Sequence, residues 1–544
     1  MRSTYLVHDL VIASADREAD AAALTFGGES LTYAETAQRI AGFAAAYREL
    51  GLARGERVAV YLDKRPETVA AMLGATMAGG AFVPVNPILK AGQVAHILRD
   101  CTVRVLVTSR ERLAALRDAV EPSGVRDVLV VGDVDETLSF ADVRVHRAAD
   151  LAGGAAPPPP RLTESDVAAI FYTSGSTGRP KGVVLCHRNL VVGAKSVAQY
   201  LENAPRDVLL AALPLSFDAG FSQLTTAFHS GARVVLLNYL MPRDVINALA
   251  RERVTGLTAV PPLWIQLARL EWPDGIDEHL RYFANTGGRM PLDTLAKLRA
   301  KVPSAKPYLM YGLTEAFRAT YLPPEQVDAR PDSIGKAIPN AEVLVLRDDG
   351  SPCGPNEPGE LVQRGPLVAL GYWNNPDATA ERFKPLPPGA VPNREGVVLP
   401  ETAVFSGDTV RMDEEGYLYF IGRRDEMIKT SGYRVSPTEI EEVVYSTGLV
   451  AECVAIGVPD ETLGQSIWLI AAAPDGRPVE IDRLLDECRK RLPAYMVPAH
   501  IEIDANALPR NPNGKLDRNA LKERVLRARR ERETGRAATE PVTA

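Results

Sequence analysis

The sequence contains little cysteine, and its cysteines are scattered. There are five of them, an odd number, with no C-x-x-C pair and no histidine at metal-ligand spacing. This arrangement argues against a disulfide framework and against a zinc site. We therefore expect free, buried thiols at Cys101, Cys186, Cys353, Cys453 and Cys488.

Long apolar runs and an excess of positive charge are also missing. No stretch is long enough to span a bilayer, and the first ten residues lack the apolar segment of a signal peptide. The net charge of −7 excludes an overall basic field that would attract nucleic acid. With 46% hydrophobic and 24% charged residues, the composition is typical of a globular enzyme. We expect a cytoplasmic protein with no membrane span and no nucleic-acid partner.

The most informative feature that is present is a loop rich in hydroxyls and glycines. It follows an apolar run at 167–171, and this run predicts a buried strand. Glycine turns backbone N–H groups toward an anion, and hydroxyls and a lysine add donors, so a nucleoside triphosphate is the expected ligand. The spacing is not that of a Walker A loop. A flexible linker is the alternative. The predicted phosphate-binding residues are Thr173, Ser174, Gly175, Ser176, Thr177, Gly178 and Lys181.

Short apolar runs alternate with helical stretches over two parts of the chain, separated by a low-complexity break at 152–160. This β-α-β repetition predicts an α/β fold with largely parallel sheets covered by helices. Turns and short strands after Ser333 predict a β-rich subdomain. A helix at 437–444 is predicted from a Ser436 cap with Glu439 closing a capping box. The predicted strands are 58–62, 81–85, 103–107, 167–171, 208–213, 233–237, 256–260, 282–286 and 306–311.

Five further segments, in this order, resemble the adenylate-forming superfamily of acyl-CoA synthetases, luciferases and amino-acid adenylation domains. They are Tyr311-Gly312-Leu313-Thr314-Glu315, Ser406-Gly407-Asp408, Gly422-Arg423-Arg424-Asp425, 429–435, and Asn513-Gly514-Lys515-Leu516-Asp517. The resemblance implies a large N-terminal AMP-binding domain (1–422) and a small, mobile α+β C-terminal domain (426–544) joined by a hinge at Asp425. It implies adenylation of a carboxylic or amino acid by ATP with release of pyrophosphate, then transfer to a thiol.

The resemblance also assigns roles to individual residues. Thr314 would donate to a phosphate, and Glu315 would hold Mg²⁺, which binds through one or two carboxylates plus phosphate oxygens. Lys515 would contact the reacting carboxylate and the α-phosphate electrostatically; a surface lysine in a turn is the alternative. The resemblance implies further contacts with the nucleotide at Tyr311, Gly312, Asp408 and Arg423, of which Asp408 would bind the ribose. It also implies that Gly432 lines the tunnel through which the thiol enters.

Substrate choice stays open at this stage. Asp218 stands where amino-acid adenylation domains keep an aspartate for the substrate's ammonium, but it could equally cap the helix that follows. Arg318 would favour a polar or acidic group if it points inward, and could also face solvent. The predicted substrate-binding residues are Phe217, Asp218, Ala219, Ser222, Gly287 and Arg318; motif matching adds Ala259, Ala284, Thr286, Met310 and Ala319.

The segment at 431–437 resembles acyl-CoA ligases more than peptide synthetases, and the closest resemblance is to the acyl-CoA ligases found beside exosortase systems. No carrier segment follows Lys515, so the thiol is expected from CoA or a separate carrier protein. A luciferase-type oxygenase and a non-catalytic acyl- or nucleotide-binding protein are the alternatives. His187 and His229 are expected to be structural, Glu439, Glu441 and Glu442 to lie on a solvated helix face, and the arginine-rich tail at 522–536 to form a solvated helix.

Overall fold

The computed structural model describes residues 3–134, 140–151, 158–173, 180–391, 401–424, 426–430, 433–460, 463–473, 478–512 and 514–537. The chain forms two compact units. The first comprises Met1–Met290, Thr294–Pro352 and Val362–Ser406, and the second Pro291–Asp293, Cys353–Leu361 and Gly407–Ala544. The predicted hinge residue Asp425 lies outside the described residues, and the domain boundary at 422–426 stays a prediction.

The elements alternate between strand and helix along most of the chain. Up to residue 211 they are α1 (Asp9–Arg17), β1 (Ala22–Phe26), β2 (Glu29–Thr32), α2 (Tyr33–Glu49), β3 (Arg57–Tyr61), α3 (Pro66–Met77), β4 (Ala81–Pro84), α4 (Ala91–Asp100), β5 (Val103–Thr108), α5 (Arg110–Ala115), α6 (Arg117–Val120), β6 (Asp127–Val130), β7 (Arg144–Arg147), α7 (Ala148–Leu151), β8 (Val167–Thr173), β9 (Lys181–Cys186), α8 (His187–Tyr200) and β10 (Val208–Ala211).

The remaining elements become strand-rich after β14. They are α9 (Asp218–Ser230), β11 (Arg233–Leu236), α10 (Pro242–Arg251), β12 (Gly256–Ala259), α11 (Pro261–Arg269), β13 (Tyr282–Asn285), α12 (Leu292–Lys301), β14 (Lys306–Tyr311), β15 (Thr320–Leu322), β16 (Lys336–Ala337), β17 (Glu342–Leu346), β18 (Gly359–Arg364), β19 (Gly371–Tyr372), α13 (Pro376–Arg382), β20 (Phe383–Pro385), β21 (Thr402–Met412), β22 (Leu418–Arg423), β23 (Ile428–Thr430), β24 (Tyr433–Val435), α14 (Pro437–Ser446), β25 (Glu452–Asp460), β26 (Gly464–Ala472), α15 (Ile481–Arg491), β27 (His500–Asp504) and α16 (Arg518–Ala537).

Two large sheets build the first unit. One has the strand order β16-β15-β14-β13-β12-β10-β11-β1-β2, and the other β19-β9-β8-β4-β3-β5-β6-β7. From β14 to β1 and from β8 to β7 the neighbouring strands are parallel. Most of these strands are buried on both faces and read as continuous apolar runs, which is why the sequence predicted nine of them; β1, β6 and β7 were not predicted. The predicted α/β class is confirmed.

The main core of the first unit combines residues of both sheets with the helices that cover them. Phe82 on β4, Phe171 on β8 and Phe221 on α9 form an aromatic cluster with ring centroids 4.9 to 5.9 Å apart. Because these three rings come from three elements, their packing fixes α9 against the β8 sheet. The N-terminal end of α9 carries Asp218, so this core positions a predicted substrate residue.

The β-rich part predicted after Ser333 is a sheet of order β17-β18-β21-β20, with β22 paired to β21. In the second unit, β25, β26 and β27 form a three-stranded sheet, and β23 pairs with β24. Helices α14 and α15 pack in one cluster with β25 and β26, and α16 contributes to a second. Helix α14 was predicted correctly, but Ser436 makes no side-chain cap, so the predicted capping box is wrong.

No described helix combines the length and apolarity needed to cross a membrane. All five cysteines are free, as predicted, and all but Cys353 are buried.

Candidate active site

The buried carboxylate of Asp218 is held by two partners from the segment after β14. Thr314 donates to Oδ1 at 3.0 Å, and Arg318 donates to Oδ2 at 2.8 Å. Asp218 is the first residue of α9, and the N-cap position belongs to Phe217 without a side-chain cap. The interpretation of Asp218 as a helix cap is therefore wrong. The alternative in which Arg318 faces solvent is wrong too, since only 2% of Arg318 is exposed.

A strained turn brings Arg318 to Asp218. Phe317 has φ 56° and ψ −49°, and the Arg318 N–H donates to the carbonyl of Ala316 at 2.6 Å across it. This is a γ-turn with positive φ, which is rare for a bulky residue. The Phe317 ring is buried against α8, where Gly193 leaves room for it: a Cβ at Gly193 would lie 2.3 Å from the ring. The chain thus reverses within one residue, and the guanidinium turns inward.

A second feature of this segment is the hydrogen bond between Glu315 and Tyr372. The Tyr372 hydroxyl donates to Glu315 Oε1 at 2.6 Å. Tyr372 lies on β19, which pairs with β9 opposite Val183, and the Lys181 Nζ lies 5.3 Å from the Tyr372 ring centroid. Burial, reinforced by the Glu315 charge, raises the pKa of Tyr372, so its hydroxyl stays protonated and keeps donating. Three parts of the chain, β9, the Thr314–Ala316 turn and β19, meet at this point.

The predicted phosphate loop connects two antiparallel strands. β8 and β9 pair up to Thr173 opposite Lys181. The element that follows the predicted loop is therefore strand β9 and not a helix, which agrees with the exclusion of a Walker A loop. Residues Ser174, Gly175, Ser176, Thr177 and Gly178 lie outside the described residues.

Tyr311 is the last residue of β14 and Gly312 the first residue after it, shortly before the Thr314–Ala316 turn. Gly312 packs close to Arg318, since a Cβ there would lie 3.3 Å from the Arg318 Cα. Ligands of open α/β sheets bind beyond the carboxyl ends of the strands. The residues singled out in Tyr311–Glu315 stand at such an end.

A small cavity lies between α8, α9 and strands β10, β12, β13 and β14. Of the predicted substrate residues, Ala219, Ser222, Arg318 and Met310 line it. The other predicted substrate residues are not among its lining residues: Phe217, Asp218, Gly287, Ala259, Ala284, Thr286 and Ala319. Sequence reasoning missed Gln223 and Thr226, although they stand four and seven residues after Ala219, a spacing that shares one helix face.

The second unit holds the other predicted residues. Asp408 on β21 pairs in register with Arg423 on β22, whose Nε lies 3.9 Å from Asp408 Oδ1. Lys515 is exposed in a tight turn: its N–H bonds Asn511 Oδ1 at 3.0 Å, and its carbonyl accepts from the Asn511 N–H at 2.8 Å. Asp425 and Gly432 lie outside the described residues.

The residues expected to be structural were largely identified correctly. His187 is buried and accepts from the Val7 N–H at 3.1 Å; burial lowers its pKa to about 3, so it stays neutral. Burial likewise lowers the pKa of His229 to about 4. Glu441, however, does not lie on a solvated face, because it pairs with Arg518 of α16 at 2.5 Å.

The fold and these strand-end residues are those of a nucleotide-dependent α/β ligase. The family model for AMP-binding enzymes matches residues 11–373, and the model for the AMP-binding enzyme C-terminal domain matches residues 439–515. The chain belongs to this family of adenylate-forming enzymes. Its predicted class, an AMP-forming acid–thiol ligase that uses ATP, is thereby confirmed.

Several relatives span nearly the whole chain. The long-chain-fatty-acid–CoA ligase of Escherichia coli O157:H7 is 29% identical over 95% of this chain and 94% of its own. The feruloyl-CoA synthase of Amycolatopsis sp is 30% identical, covering 93% and 96%. The o-succinylbenzoate CoA synthetase of Bacillus subtilis, solved with ATP and magnesium ion, is 27% identical, with a TM-score of 0.79 over 94% of this chain and 99% of that one. Its complex with an acyl-adenylate intermediate is equally similar.

Proposed function

We propose that Glu315 holds the Mg²⁺ of MgATP and that Thr314 and the 173–181 loop contact the phosphates. The residues at this point suit Mg²⁺, a hard cation that binds carboxylate, phosphate and water oxygens. Tyr372 donates to one carboxylate oxygen of Glu315, which leaves the other oxygen for the cation. Bound MgATP supplies the activated α-phosphorus. Asp408 and Arg423 would bind the nucleoside, and Lys515 would neutralise charge on the attacking carboxylate.

We further propose that the acid carries no α-ammonium group. The observation behind this is the pairing of Asp218 with Arg318 at 2.8 Å in a buried place. A substrate ammonium at Asp218 would stand beside the guanidinium, and like charges at such a distance repel strongly when water is excluded. The small partner is then a carboxylic acid, and the acyl group passes to the thiol of CoA or of a separate carrier protein. Membership in the exosortase-associated group stays a prediction.

Acid-dependent ATP–pyrophosphate exchange tests this proposal. The panel contains the twenty amino acids and the matching acids in which hydrogen replaces the α-ammonium, so each pair differs only in the charge at issue. We expect exchange with one or more desamino acids and at most background with their amino-acid partners. Exchange driven by a free amino acid would overturn the proposal. Thioester formation with CoA, measured on the active acid, then distinguishes CoA from a carrier as acceptor.

A further inference from the structure

Lys64 joins the carboxyl ends of two neighbouring strands, and its contacts lead toward Asp218. We propose that Lys64 is a positioning residue of the acid site: it fixes the connection 212–217 between β10 and α9, after which Asp218 follows directly. This inference rests on the proposed function, because it takes Phe217 and Asp218 as neighbours of the bound acid.

The backbone of Lys64 is held by a residue that follows β11. Lys64 lies between β3 and α3, and Asn238 lies shortly after β11, which belongs to the other large sheet. The Lys64 N–H donates to Asn238 Oδ1 at 3.1 Å, and Asn238 Nδ2 donates to the Lys64 carbonyl at 2.8 Å. These two reciprocal bonds fix the segment after β3 against the end of the other sheet, so the lysine side chain starts from a fixed backbone.

The side chain of Lys64 reaches the neighbouring strand, β10. Its Nζ donates to the carbonyl of Ala212 at 2.7 Å and to that of Leu213 at 3.4 Å. Because β10 and β11 pair in parallel, their carboxyl ends lie side by side. Ligands of α/β sheets bind beyond such ends. The ammonium of Lys64 thus holds the first two residues of the connection 212–217 at an edge where a ligand is expected.

A buried lysine is a costly way to hold two carbonyls. Lys64 is only 9% exposed, and in the described part of the chain its Nζ forms no ion pair, since the neighbouring Asp63 pairs with Arg112 at 2.9 Å. Lysine is rarely this buried without a counter-ion, because taking an ammonium out of water is unfavourable. An apolar side chain of similar length would fill the space without that cost. A need to place the connection 212–217 accurately explains the lysine better than stability does.

The connection in turn packs on the first turn of α9. The Phe217 N–H donates to the Pro214 carbonyl at 3.3 Å, which closes a turn directly before Asp218. The same carbonyl oxygen lies against Gly220 of α9, where an added Cβ would stand only 1.8 Å from it. Only glycine permits this approach, so the backbones of the connection and the helix touch. A displacement at the start of the connection is therefore passed on to Phe217 and Asp218.

Steady-state kinetics of Lys64→Met test the inference, because methionine keeps an apolar stem and removes the ammonium. The assay is ATP–pyrophosphate exchange with the acid that proves active in the panel, with the acid and MgATP varied in turn. We expect KM for the acid to rise about tenfold or more, since a misplacement of about 1 Å in a site can cost about 10²-fold. KM for MgATP should stay nearly unchanged, because Thr314 and Glu315 follow β14 and not β10. A general loss of structure would not separate the two KM values in this way.

Thr108→Val is the matched control. Thr108 is buried and donates to the carbonyl of Tyr61 at 3.1 Å, shortly before Lys64 in the chain. The substitution therefore removes a buried bond from a side chain to a carbonyl, but one that does not involve the connection 212–217. Both KM values should stay at those of the natural protein.

If urea unfolding shows that Lys64→Met does not fold, Asn238→Ala takes its place. Asn238 is exposed, and its loss frees the Lys64 backbone, so KM for the acid alone should rise. An unchanged KM for the acid, or equal rises in both KM values, would overturn the inference while the proposed function stands. If no carboxylic acid supports exchange in the natural protein, the proposed function fails first and takes this inference with it.

Discussion

At the scale of single residues, the most consequential contact is the buried ion pair of Asp218 and Arg318. Taking two charges out of water is costly, and the cost is offset only while both partners are present. We therefore expect the pair to serve the specificity of the proposed site more than the stability of the fold. It also explains why the sequence could not decide the role of Asp218: its partner lies 100 residues further along the chain.

This leads to a prediction for a double-mutant cycle. Arg318→Met should lower the free energy of unfolding of the first unit by about 3–5 kcal/mol, because the Asp218 carboxylate is left buried without a cation. Combining it with Asp218→Asn, which keeps an acceptor for Thr314, should restore most of that loss. Urea unfolding followed by tryptophan fluorescence measures both. Simple additivity of the two single substitutions would show that the ion pair contributes no coupling energy.

Lys64 provides a prediction of pH dependence. Its Nζ is buried and donates to the carbonyls of Ala212 at 2.7 Å and Leu213 at 3.4 Å, and burial lowers its pKa from 10.5 to about 7. Between pH 7 and about 10 the unfolded chain then binds more protons than the folded one, so this residue makes stability rise with pH.

The stability difference between the natural protein and Lys64→Met isolates that effect. It should shift in favour of the natural protein by up to about 1.4 kcal/mol per pH unit from about pH 7 to pH 10, and be flat below pH 6. Equilibrium unfolding at a series of pH values measures it. A difference independent of pH throughout would mean that Lys64 titrates normally.

At the scale of elements, strands and helices with strong local signals were predictable, and their ends were less so. The strand at 306–311 was predicted with its observed bounds, since its apolar run is continuous. β10 ends at Ala211 instead of 213 because Lys64 binds the next two carbonyls, a long-range contact. Tyr372 was missed for the same kind of reason: its importance arises from the register of β19 against β9.

The pairing of β19 with β9 yields a prediction about Glu315. Tyr372→Phe keeps the ring against Lys181 and removes the hydroxyl that fixes one carboxylate oxygen. If Glu315 holds Mg²⁺, the Mg²⁺ concentration for half-maximal exchange should rise about 10–100-fold, the usual effect of losing an outer-shell partner. Tyr47→Phe is the control, because Tyr47 donates to Ala71 in the core of the same unit. An unchanged Mg²⁺ dependence would separate Tyr372 from metal binding.

The packing of α8 against the turn at Phe317 yields a prediction about stability and activity. Gly193→Ala should force the Phe317 ring to move, since its carbons lie 2.3 and 2.4 Å from the added Cβ, and overpacking of this kind costs about 1–3 kcal/mol. Exchange activity should fall as well, because Arg318 follows directly. Gly92→Ala on α4 has open space around its Cβ and should be neutral or slightly stabilising. Equal stability and activity of the two variants would show that the turn tolerates the shift.

At the scale of the whole molecule, the predicted catalytic residues are divided between two units. Thr314 and Glu315 belong to the first unit, and Lys515 belongs to the second. The sequence motifs predicted both sets, because each set lies in short local segments. An enzyme built this way can use Lys515 in one half-reaction and dispense with it in the other, if the second unit moves between them.

Lys515→Ala therefore separates the two half-reactions. Removing one charged donor from a transition state costs about 10²–10³ in rate, so acid-dependent ATP–pyrophosphate exchange should fall by that factor. Thioester formation from a supplied acyl-adenylate should stay within a few-fold of the natural rate, because the acid is already activated. Lys490→Ala, an exposed lysine on α15 of the same unit, should change neither rate. Equal losses in both half-reactions would place Lys515 in a single fixed site and argue against movement of the second unit during the cycle.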